Sequence, residues 1–314
     1  MKKLRIGYLS TMYHTSHLIK GLKWTENFLP VDAEWRLFGT GPSMIEAFSA
    51  DMLDMGYIGL PPVMIGIDRG LDLKCIAGGH VEGTVMIARS EFFSAHSRAD
   101  IAPVLKQFKG KKIGSPAHGS IHDVILRFVI KQYGLEEIEV VNYPWADLIP
   151  EAMHEGVIDA AVGTPPLAAL ACRWYGYKLI LPPSYLWPFN PSYGIVVTKK
   201  LLEEPEILRA FLGLHEKANN LIIHTPAEAA QAVANEVKVV DQAFVAEVFS
   251  ISPRYCAAVP KEYIDSTLAF IPALKSMGYI KENLTQADIF ELSFIEKVHP
   301  ESHHYLAPPH GGIF

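Results

Sequence analysis

Cysteine is scarce in this chain, and the few cysteines it has are widely separated. Cys75, Cys172 and Cys256 are an odd number among 314 residues, so the sequence predicts neither a disulfide framework nor a zinc motif. Apolar neighbours along the chain indicate buried thiols. Cysteine usage therefore does not decide the cellular compartment.

Long apolar runs and clusters of basic residues are also missing. No run of roughly 18 or more apolar residues is present, so nothing in the sequence is expected to span a membrane. The net charge is −6, from 28 Lys and Arg against 34 Asp and Glu. That charge, without a basic stripe, disfavours both nucleic acid and an anionic membrane surface as partners.

The N-terminal residues lack the pattern of an export signal. Lys2 and Lys3 are basic, but Arg5 interrupts the apolar stretch and no small-residue cleavage site follows. We therefore expect an extracytoplasmic location if a signal was removed, and a cytoplasmic one if the chain is the full gene product.

Signatures of catalysis are absent as well. The sequence has no phosphate-loop motif, no dinucleotide fingerprint and no Ser-His-Asp order, and we expect no cofactor. Asp54 and Asp159 each precede an apolar strand. A shared role in a turn explains both better than paired acid–base chemistry. The sequence thus favours non-catalytic ligand binding over an enzyme.

The sequence does contain an internal repeat. Residues 46–62 and 151–166 each run through helix, acidic turn, apolar strand, glycine, Pro-Pro and helix. Proline suits the first helical turn, where its missing N–H is not needed. Residues 5–10 and 112–117 open the two halves with similar strands. Matches in the same order at nearly the same offset predict two duplicated halves.

The spacing of the apolar residues and the positions of glycine and proline divide the chain into alternating strands and helices. Strands are predicted at 4–10, 33–38, 53–58, 72–77, 83–89, 111–115, 138–142, 158–162, 178–181 and 193–198. Helices are predicted at 16–28, 43–51, 61–69, 101–108, 120–133, 146–155, 166–175, 205–221, 226–236, 238–249, 260–276 and 285–291. The alternation predicts an α/β fold with mainly parallel sheets and helices on both faces.

The predicted domains are discontinuous, because the strand at 193–198 would return to the first half. Lobe one would comprise residues 1–88 and 194–314, and lobe two residues 92–190. Residues 83–92 and 188–196 would cross between the lobes and act as a hinge. Ligands in open α/β sheets bind beyond the carboxyl ends of the strands, so the site would lie in the cleft between the two sheets.

An ordered set of motifs carries a family resemblance. It consists of Arg5-Ile6-Gly7-Tyr8, Asp54-Met55-Gly56, Gly59-Leu60-Pro61-Pro62 and the segments at 70–74, 108–114 and 156–160. This order resembles the solute-binding proteins of ABC importers for alkanesulfonates, taurine, nitrate and thiamine pyrimidine precursors. It is also similar to the related pyrimidine synthases of thiamine biosynthesis. The resemblance extends over about residues 4–250.

The resemblance implies a two-lobed, type II periplasmic-binding-protein-like fold. It implies a monomer that clamps a small organic or weakly anionic solute, with the membrane subunit of an ABC transporter as partner. The cysteine-rich motif of the pyrimidine synthases is absent. The nucleophilic cysteine that a related sulfinate desulfinase carries near its first strand is also missing, since no cysteine precedes Cys75.

Loops after the predicted strands supply the candidate ligand contacts, because most precede helices whose free N–H groups suit an acceptor-rich ligand. The candidates are Thr11, Tyr13, His14, Thr40, Gly59, Leu60, His80, His118, Gly119, Ser120, Trp145, Gly163, Thr164 and Tyr193. Ser43 and Ser120 are equally explained as N-caps, and Trp187 and Phe189 as packing residues. Few cations and many aromatic residues favour a heteroaromatic or weakly charged solute.

Histidines raise a second possibility for the cleft. His14 and His17 are three residues apart, and His118 and His122 are four apart, so each pair would share a helix face. A metal closing the lobes would use such neutral imidazoles, but no carboxylate or cysteine completes a motif. The later histidines are predicted to lie on the surface: His299, His303, His304 and His310.

Three functional hypotheses remain open at this point. The main one is a solute-binding protein that closes about its hinge when ligand binds. The second is a cytosolic enzyme of the same fold in cofactor or thiamine-precursor biosynthesis, with the cleft histidines as acid or base. The third is a cytosolic ligand sensor without a transporter.

Overall fold

The computed structural model describes residues 2–305, which form ten strands in two five-stranded sheets. The strands are β1 (Lys3–Leu9), β2 (Asp32–Phe38), β3 (Met55–Ile58), β4 (Leu73–Val81), β5 (Val85–Ala88), β6 (Lys112–Pro116), β7 (Glu139–Tyr143), β8 (Ala160–Gly163), β9 (Lys178–Leu181) and β10 (Pro191–Thr198). The first sheet has the order β2-β1-β3-β10-β4 and the second β7-β6-β8-β5-β9. In each sheet one strand, β10 or β5, runs against its neighbours.

Helices follow most strands and cover the sheets. They are α1 (Thr15–Gly21), α2 (Trp24–Phe28), α3 (Gly41–Ser49), α4 (Leu60–Asp68), α5 (Ile101–Lys106), α6 (Ile121–Gln132), α7 (Ile149–His154), α8 (Pro165–Tyr175), α9 (Pro183–Leu186), α10 (Pro205–His224), α11 (Pro226–Val237), α12 (Gln242–Ile251), α13 (Lys261–Leu268), α14 (Phe270–Ser276), α15 (Gln286–Ile289) and α16 (Ile295–Val298). Within residues 2–305, none of these helices combines the length and apolar character that a membrane crossing requires.

Two of the predicted helices are each divided in the structure. The helix predicted at 16–28 breaks at Lys23, whose φ of 54° is left-handed. The helix predicted at 260–276 breaks at Ala269. Pro272 lies just beyond that break, and it cannot donate the backbone hydrogen bond that would continue one helix past Leu268.

The internal repeat in the sequence corresponds to a structural duplication. Strand β3 pairs with β1 in parallel, and β8 pairs with β6 in the same way. The Asp54 carboxylate accepts the backbone N–H of Arg5 at 2.8 Å, and the Asp159 carboxylate accepts that of Lys112 at 3.0 Å. Each aspartate thus ties the turn before its strand to the neighbouring parallel strand, β1 or β6, which confirms the shared turn role.

Two short segments connect the sheets. Residues 82–84 lead from β4 to β5, and residues 182–190 lead from β9 to β10. Glu82 and Phe189 both have left-handed φ angles, 60° and 57°. The Glu82 carboxylate accepts the Phe189 N–H, and the Glu82 N–H donates to the Asn190 carbonyl, both at 2.8 Å. The two crossing segments are therefore bonded to each other.

Candidate functional site

A small cavity lies between the carboxyl ends of the two sheets. Its volume is about 40 Å³, which admits only a few water molecules. The lining residues are Leu9, Thr11, Tyr13, His14, Gly39, Thr40, Gly41, Gly59, Pro62, Pro116, Ser120, Ile121, His122, Ala146, Thr164 and Ser192. Both sheets contribute, and no acidic residue, lysine or arginine occurs in this lining.

Five of the lining residues are N-caps of helices. His14 caps α1, Thr40 caps α3 and Gly59 caps α4 from the first sheet; Ser120 caps α6 and Thr164 caps α8 from the second. A helix N-terminus carries partial positive charge and unpaired N–H groups. Their convergence makes the cavity electropositive without a cationic side chain, so it suits an anion or an acceptor-rich group.

Helix α6 keeps all the backbone donors of its first turn. Helices α3, α4 and α8 have proline at their first positions, which removes N–H groups. The first turn of α6 contains no proline, so Ile121 and His122 keep their N–H groups. The Ser120 hydroxyl accepts the Asp123 N–H at 3.3 Å and also lines the cavity. Ser120 therefore acts as an N-cap and remains within reach of a ligand.

Asp123 places a carboxylate in the first turn of α6, but its charge is compensated. It is fully buried and accepts hydrogen bonds from Arg127 Nε and Asn142 Nδ2, both at 2.8 Å, and from the Tyr279 hydroxyl at 2.7 Å. The Gly119 N–H also donates to it, at 2.9 Å. These partners hold the carboxylate on the side away from the cavity lining.

Two polar atoms of the cavity wall have no hydrogen-bond partner within residues 2–305: Thr11 Oγ1 and His14 Nδ1. Both side chains are buried, and buried polar groups are normally paired. The His14 ring packs on Tyr193, with centroids 4.0 Å apart. Burial lowers the pKa of His14 well below its usual range, so the imidazole is neutral and can donate or accept one hydrogen bond.

His122 supplies a second neutral imidazole. Thr84 engages its Nδ1 at 3.0 Å, which leaves Nε2 for a ligand. Burial lowers the pKa of His122 to about 4. Because Thr84 belongs to a crossing segment, this hydrogen bond joins the cavity wall to the connection between the sheets.

Several contacts hold the rim of the cavity together. The Ser10 hydroxyl, after β1, donates to the Asp147 carboxylate, after β7, at 2.9 Å. Gly39, after β2, lies so close to Trp145 that a Cβ atom there would be 2.7 Å from the indole ring. The structure therefore shows the two sheets drawn together over the cavity.

The structure gathers part of the predicted site into this cavity. Thr11, Tyr13, His14, Thr40, Gly59, Ser120 and Thr164 line it. Leu60, His80 and Tyr193 are fully buried outside the lining, and Gly163 ends β8. His118 and Gly119 face a neighbouring cavity of about 230 Å³, and Trp145 lies exposed at the rim.

The sequence prediction missed other lining residues. Gly39, Gly41 and Pro116 flank predicted positions, so a wider window around each strand end would have found them. Ser192 and Ala146 gave no signal, because one lies within β10 and the other in a short 3-10 turn, Ala146–Leu148.

Three of the four histidines of the metal alternative have separate partners. His17 contacts Glu236 at 2.8 Å, His118 contacts the Tyr279 hydroxyl at 3.1 Å, and His122 contacts Thr84. No three donor atoms from His14, His17, His118 and His122 come within 4.8 Å of one another in the described chain.

The prediction for the late histidines is partly wrong. His299 is buried, with 4% of its surface exposed, because it caps α16 against the protein interior. His303 and His304 are half-buried, and His310 lies outside the described residues. Cys75 and Cys256 are buried as predicted, and Cys172 is half-buried.

The structure has two five-stranded sheets, each with one antiparallel strand, and a cavity between them. This arrangement defines a two-lobed, periplasmic-binding-protein-like fold. Solved structures of the same fold include the alkanesulfonate-binding protein of Xanthomonas axonopodis pv. citri, with a TM-score of 0.78 and 17% identity over 92% of this chain and 98% of that one. The periplasmic nitrate-binding protein of Synechocystis PCC 6803 has a TM-score of 0.76 and 12% identity, over 96% of this chain and 89% of that one.

The chain belongs to the NMT1-like family, whose model matches residues 1–237. A Brucella abortus protein provisionally named as a binding protein is 26% identical over 244 residues, covering 75% of this chain and 72% of its own length. A Bacillus subtilis protein provisionally named as an aliphatic sulfonates-binding protein is 27% identical over 221 residues, covering 69% and 64%.

Proposed function

We propose that this protein is a monomeric solute-binding component of an ABC importer, which clamps one small organic or weakly anionic molecule between its two lobes. The observation that carries the proposal is the convergence of five helix N-caps, from both sheets, on one cavity. The similar proteins named above, which are binding proteins for sulfonates and nitrate, support the same function.

The chemistry of the lining favours a ligand with at most one negative charge. A phosphate ester would ordinarily attract arginine, and the lining has no cationic side chain. Helix termini, hydroxyls and two neutral imidazoles can match a sulfonate, a nitrate, or the acceptor nitrogens of a heterocycle. Leu9, Pro62 and Ile121 give the cavity apolar wall for the rest of the molecule.

Ligand entry would require the lobes to separate. The cavity of about 40 Å³ is too small to exchange an organic solute. The predicted bounds, 1–88 with 194–314 and 92–190, assign β5 to lobe one, but β5 pairs with β8 and β9 of the second sheet. In this proposal lobe one therefore comprises residues 1–81 and 191–314, and lobe two residues 85–181. They would rotate about the crossing segments at 82–84 and 182–190, within or beside the predicted hinges at 83–92 and 188–196. A ligand that contacts N-caps of both lobes binds only the closed arrangement and so shifts the population towards it.

Calorimetric titration tests the proposed ligand class. The panel contains an alkanesulfonate, nitrate, a hydroxymethylpyrimidine and inorganic phosphate. We expect one of the first three to bind one molecule per chain and to be recovered chemically unchanged. Ser120→Ala should weaken that binding, whereas His118→Ala, outside the cavity, should leave it intact. Preferential binding of phosphate, or conversion of the compound, would overturn the proposal.

Light scattering during gel filtration tests the proposed monomer. The expected mass is that of a single chain of 34.8 kDa, with and without ligand. A stable dimer would contradict this part of the proposal and leave the ligand site to be judged by the titration.

A further inference from the structure

Three potential metal ligands meet outside the cavity between the sheets, near the end of the described chain. The Cys256 Sγ, a ring nitrogen of His299 and a ring nitrogen of His304 all lie within 4.8 Å of one another. We propose that Cys256, His299 and His304, here termed the C-terminal triad, form a binding site for a divalent transition metal, with zinc as the preferred ion. None of the three lies within the residues 1–237 that define the family match.

The spacing of the triad fits tetrahedral coordination. With Zn–S of about 2.3 Å and Zn–N of about 2.0 Å, two ligands at the tetrahedral angle are about 3.5 Å apart. The Cys256 Sγ and His299 Nε2 are 3.6 Å apart. The rings of His299 and His304 have centroids 4.9 Å apart and stand at 76°. A shift of the half-buried His304 ring would bring its nitrogen to coordination distance.

The surroundings of His299 match those of a metal-bound histidine. Its Nε2 faces the sulfur, and its Nδ1 lies 3.1 Å from Glu216 Oε1 on α10 and 3.9 Å from Glu301 Oε1. A carboxylate behind a ligating imidazole fixes the ring and raises its basicity. Nδ1 of His299 and Oε2 of Glu216 are both buried, and neither has a hydrogen-bond partner in the described part of the chain. A cation on the triad would also offset the two carboxylates.

An adjoining cavity borders the triad at His299. It has a volume of about 320 Å³, and His299, Glu301 and Ser302 contribute to its wall. Three protein ligands would leave one of four tetrahedral positions for a water molecule from this cavity. Cys256 itself is fully buried, so its thiol is out of reach of a substrate, and an arrangement of Cys256, His299 and Glu216 for nucleophilic catalysis is disfavoured.

The bound metal would fasten the last described segment to the first sheet. Cys256 donates its N–H to the Gly79 carbonyl of β4, and the Tyr305 hydroxyl donates to the Cys256 carbonyl at 2.6 Å. His299 and His304 lie on the same segment as Tyr305. Coordination would therefore add a cross-link between residue 256, which follows α12, and the segment after α16.

The test is metal binding by the full chain, followed with zinc and with cobalt as a spectroscopic probe. We expect one ion per chain, a thiolate-to-cobalt absorption band, and a higher Tm with zinc than with a chelator. Cys256→Ser should abolish the band, and His304→Ala should weaken zinc binding at least about 100-fold. Glu216→Gln, behind His299, should weaken it about 10-fold.

Matched variants separate the triad from other sites and from misfolding. Cys172→Ser and His303→Ala should keep the cobalt band and the zinc affinity of the parent chain. Each triad variant should still unfold cooperatively in chelator, but its Tm should no longer respond to zinc. Absence of stoichiometric binding would overturn the proposal. So would zinc binding that survives Cys256→Ser and His304→Ala, or that is lost in His14→Ala instead.

Discussion

Trp145 lies directly against Gly39 across the mouth of the cavity. A Cβ atom built on Gly39 would be 2.7 Å from Cδ2 of the Trp145 ring and 2.6 Å from the Pro144 carbonyl oxygen. Gly39 follows β2 of the first sheet and Trp145 follows β7 of the second. Side-chain atoms at position 39 would therefore separate the two sheets, whereas they would meet neither of these groups if the lobes were open.

Replacing Gly39 should weaken ligand binding by opposing closure. We expect Gly39→Val to lower the affinity at least about tenfold, because the valine side chain would clash with Trp145 and destabilise the closed arrangement. Folding should be little affected, since the clash disappears when the lobes separate. Titration of the variant with the best-binding compound of the panel, together with its Tm, measures both effects.

Gly213→Ala is the control for that substitution. Gly213 lies within α10, and a Cβ atom there would meet nothing within 4 Å. Alanine should raise the free energy of unfolding by up to about 1 kcal/mol and leave affinity unchanged. Equal affinities for Gly39→Val and Gly213→Ala would contradict the proposed closure.

The Thr11 hydroxyl should contribute to binding and not to folding. It is buried and has no partner within the described residues, so Thr11→Val removes an unsatisfied polar group at nearly constant volume. We expect unchanged or higher Tm and an affinity loss of about 1–2 kcal/mol, the value of a hydrogen bond to ligand.

Ser16 provides the comparison for Thr11. Its hydroxyl is also buried without a partner among residues 2–305, but it does not line the cavity. Ser16→Ala should leave ligand affinity unchanged. If both variants bind ligand like the parent chain, the Thr11 hydroxyl is not a ligand contact.

Stability should fall as the solution becomes mildly acidic. Burial lowers the pKa of His80 to about 3 and those of His122 and His215 to about 4. In the unfolded chain each would titrate near 6.5. Between pH 6.5 and 4 the unfolded chain therefore binds protons that the folded protein excludes, so the free energy of unfolding decreases as pH falls.

Urea unfolding between pH 7.5 and 5 measures this dependence. Each histidine contributes a slope of up to about 1.4 kcal/mol per pH unit below pH 6.5 and nothing above it. His122→Asn, which keeps a side chain able to contact Thr84, should reduce the slope by up to that amount. A variant with the slope of the parent chain would show that His122 is protonated equally in both states.

The bond between the crossing segments should be important for stability. Glu82 is 5% exposed, accepts the Phe189 N–H and lies 3.2 Å from Arg254 Nε. Glu82→Ala leaves the Phe189 N–H unpaired while both residues keep unfavourable φ angles. We expect a loss of about 2 kcal/mol in the free energy of unfolding.

An exposed ion pair serves as the reference. Glu206 and Arg209 form a salt bridge on the surface of α10, and Glu206→Ala should cost no more than about 0.5 kcal/mol. Similar losses in Glu82→Ala and Glu206→Ala would show that the crossing segments do not depend on the Glu82 carboxylate.

The fold could be predicted from the sequence because its signals are local and repeated. Asp54 and Asp159 mark equivalent turns, and each is followed by an apolar strand and a proline-led helix. Aspartate in a turn and proline in a first helical turn are favoured by the local backbone conformation, whatever the position of the segment in the fold. The same logic identified Thr40, Ser120 and Thr164, since N-caps occur at strand-to-helix turns and these turns meet at one edge of a sheet.

The remaining features depend on contacts between distant segments. Ser192 enters the cavity wall because β10 starts at Pro191 and lies between β3 and β4. The sequence predicted that a strand at 193–198 returns to the first half, but no local pattern indicated its neighbours in the sheet. His299 was predicted to lie on the surface, but it packs beside Cys256, which is 43 residues earlier in the chain. His118 lies only two residues before Ser120, but it contacts the Tyr279 hydroxyl and lines the neighbouring cavity instead of the one between the sheets.

The distance between the two lobes, measured with and without ligand, tests the central claim most directly. Leu37, in β2, and Leu148, in the turn after β7, are both exposed near the mouth of the cavity. Spin labels on cysteines at these two positions, in a chain with Cys172→Ser, report that distance. A solute-binding protein predicts a broad distribution without ligand that becomes shorter and narrower with the bound compound. One-to-one binding with an unchanged distance would contradict closure of the lobes on the ligand.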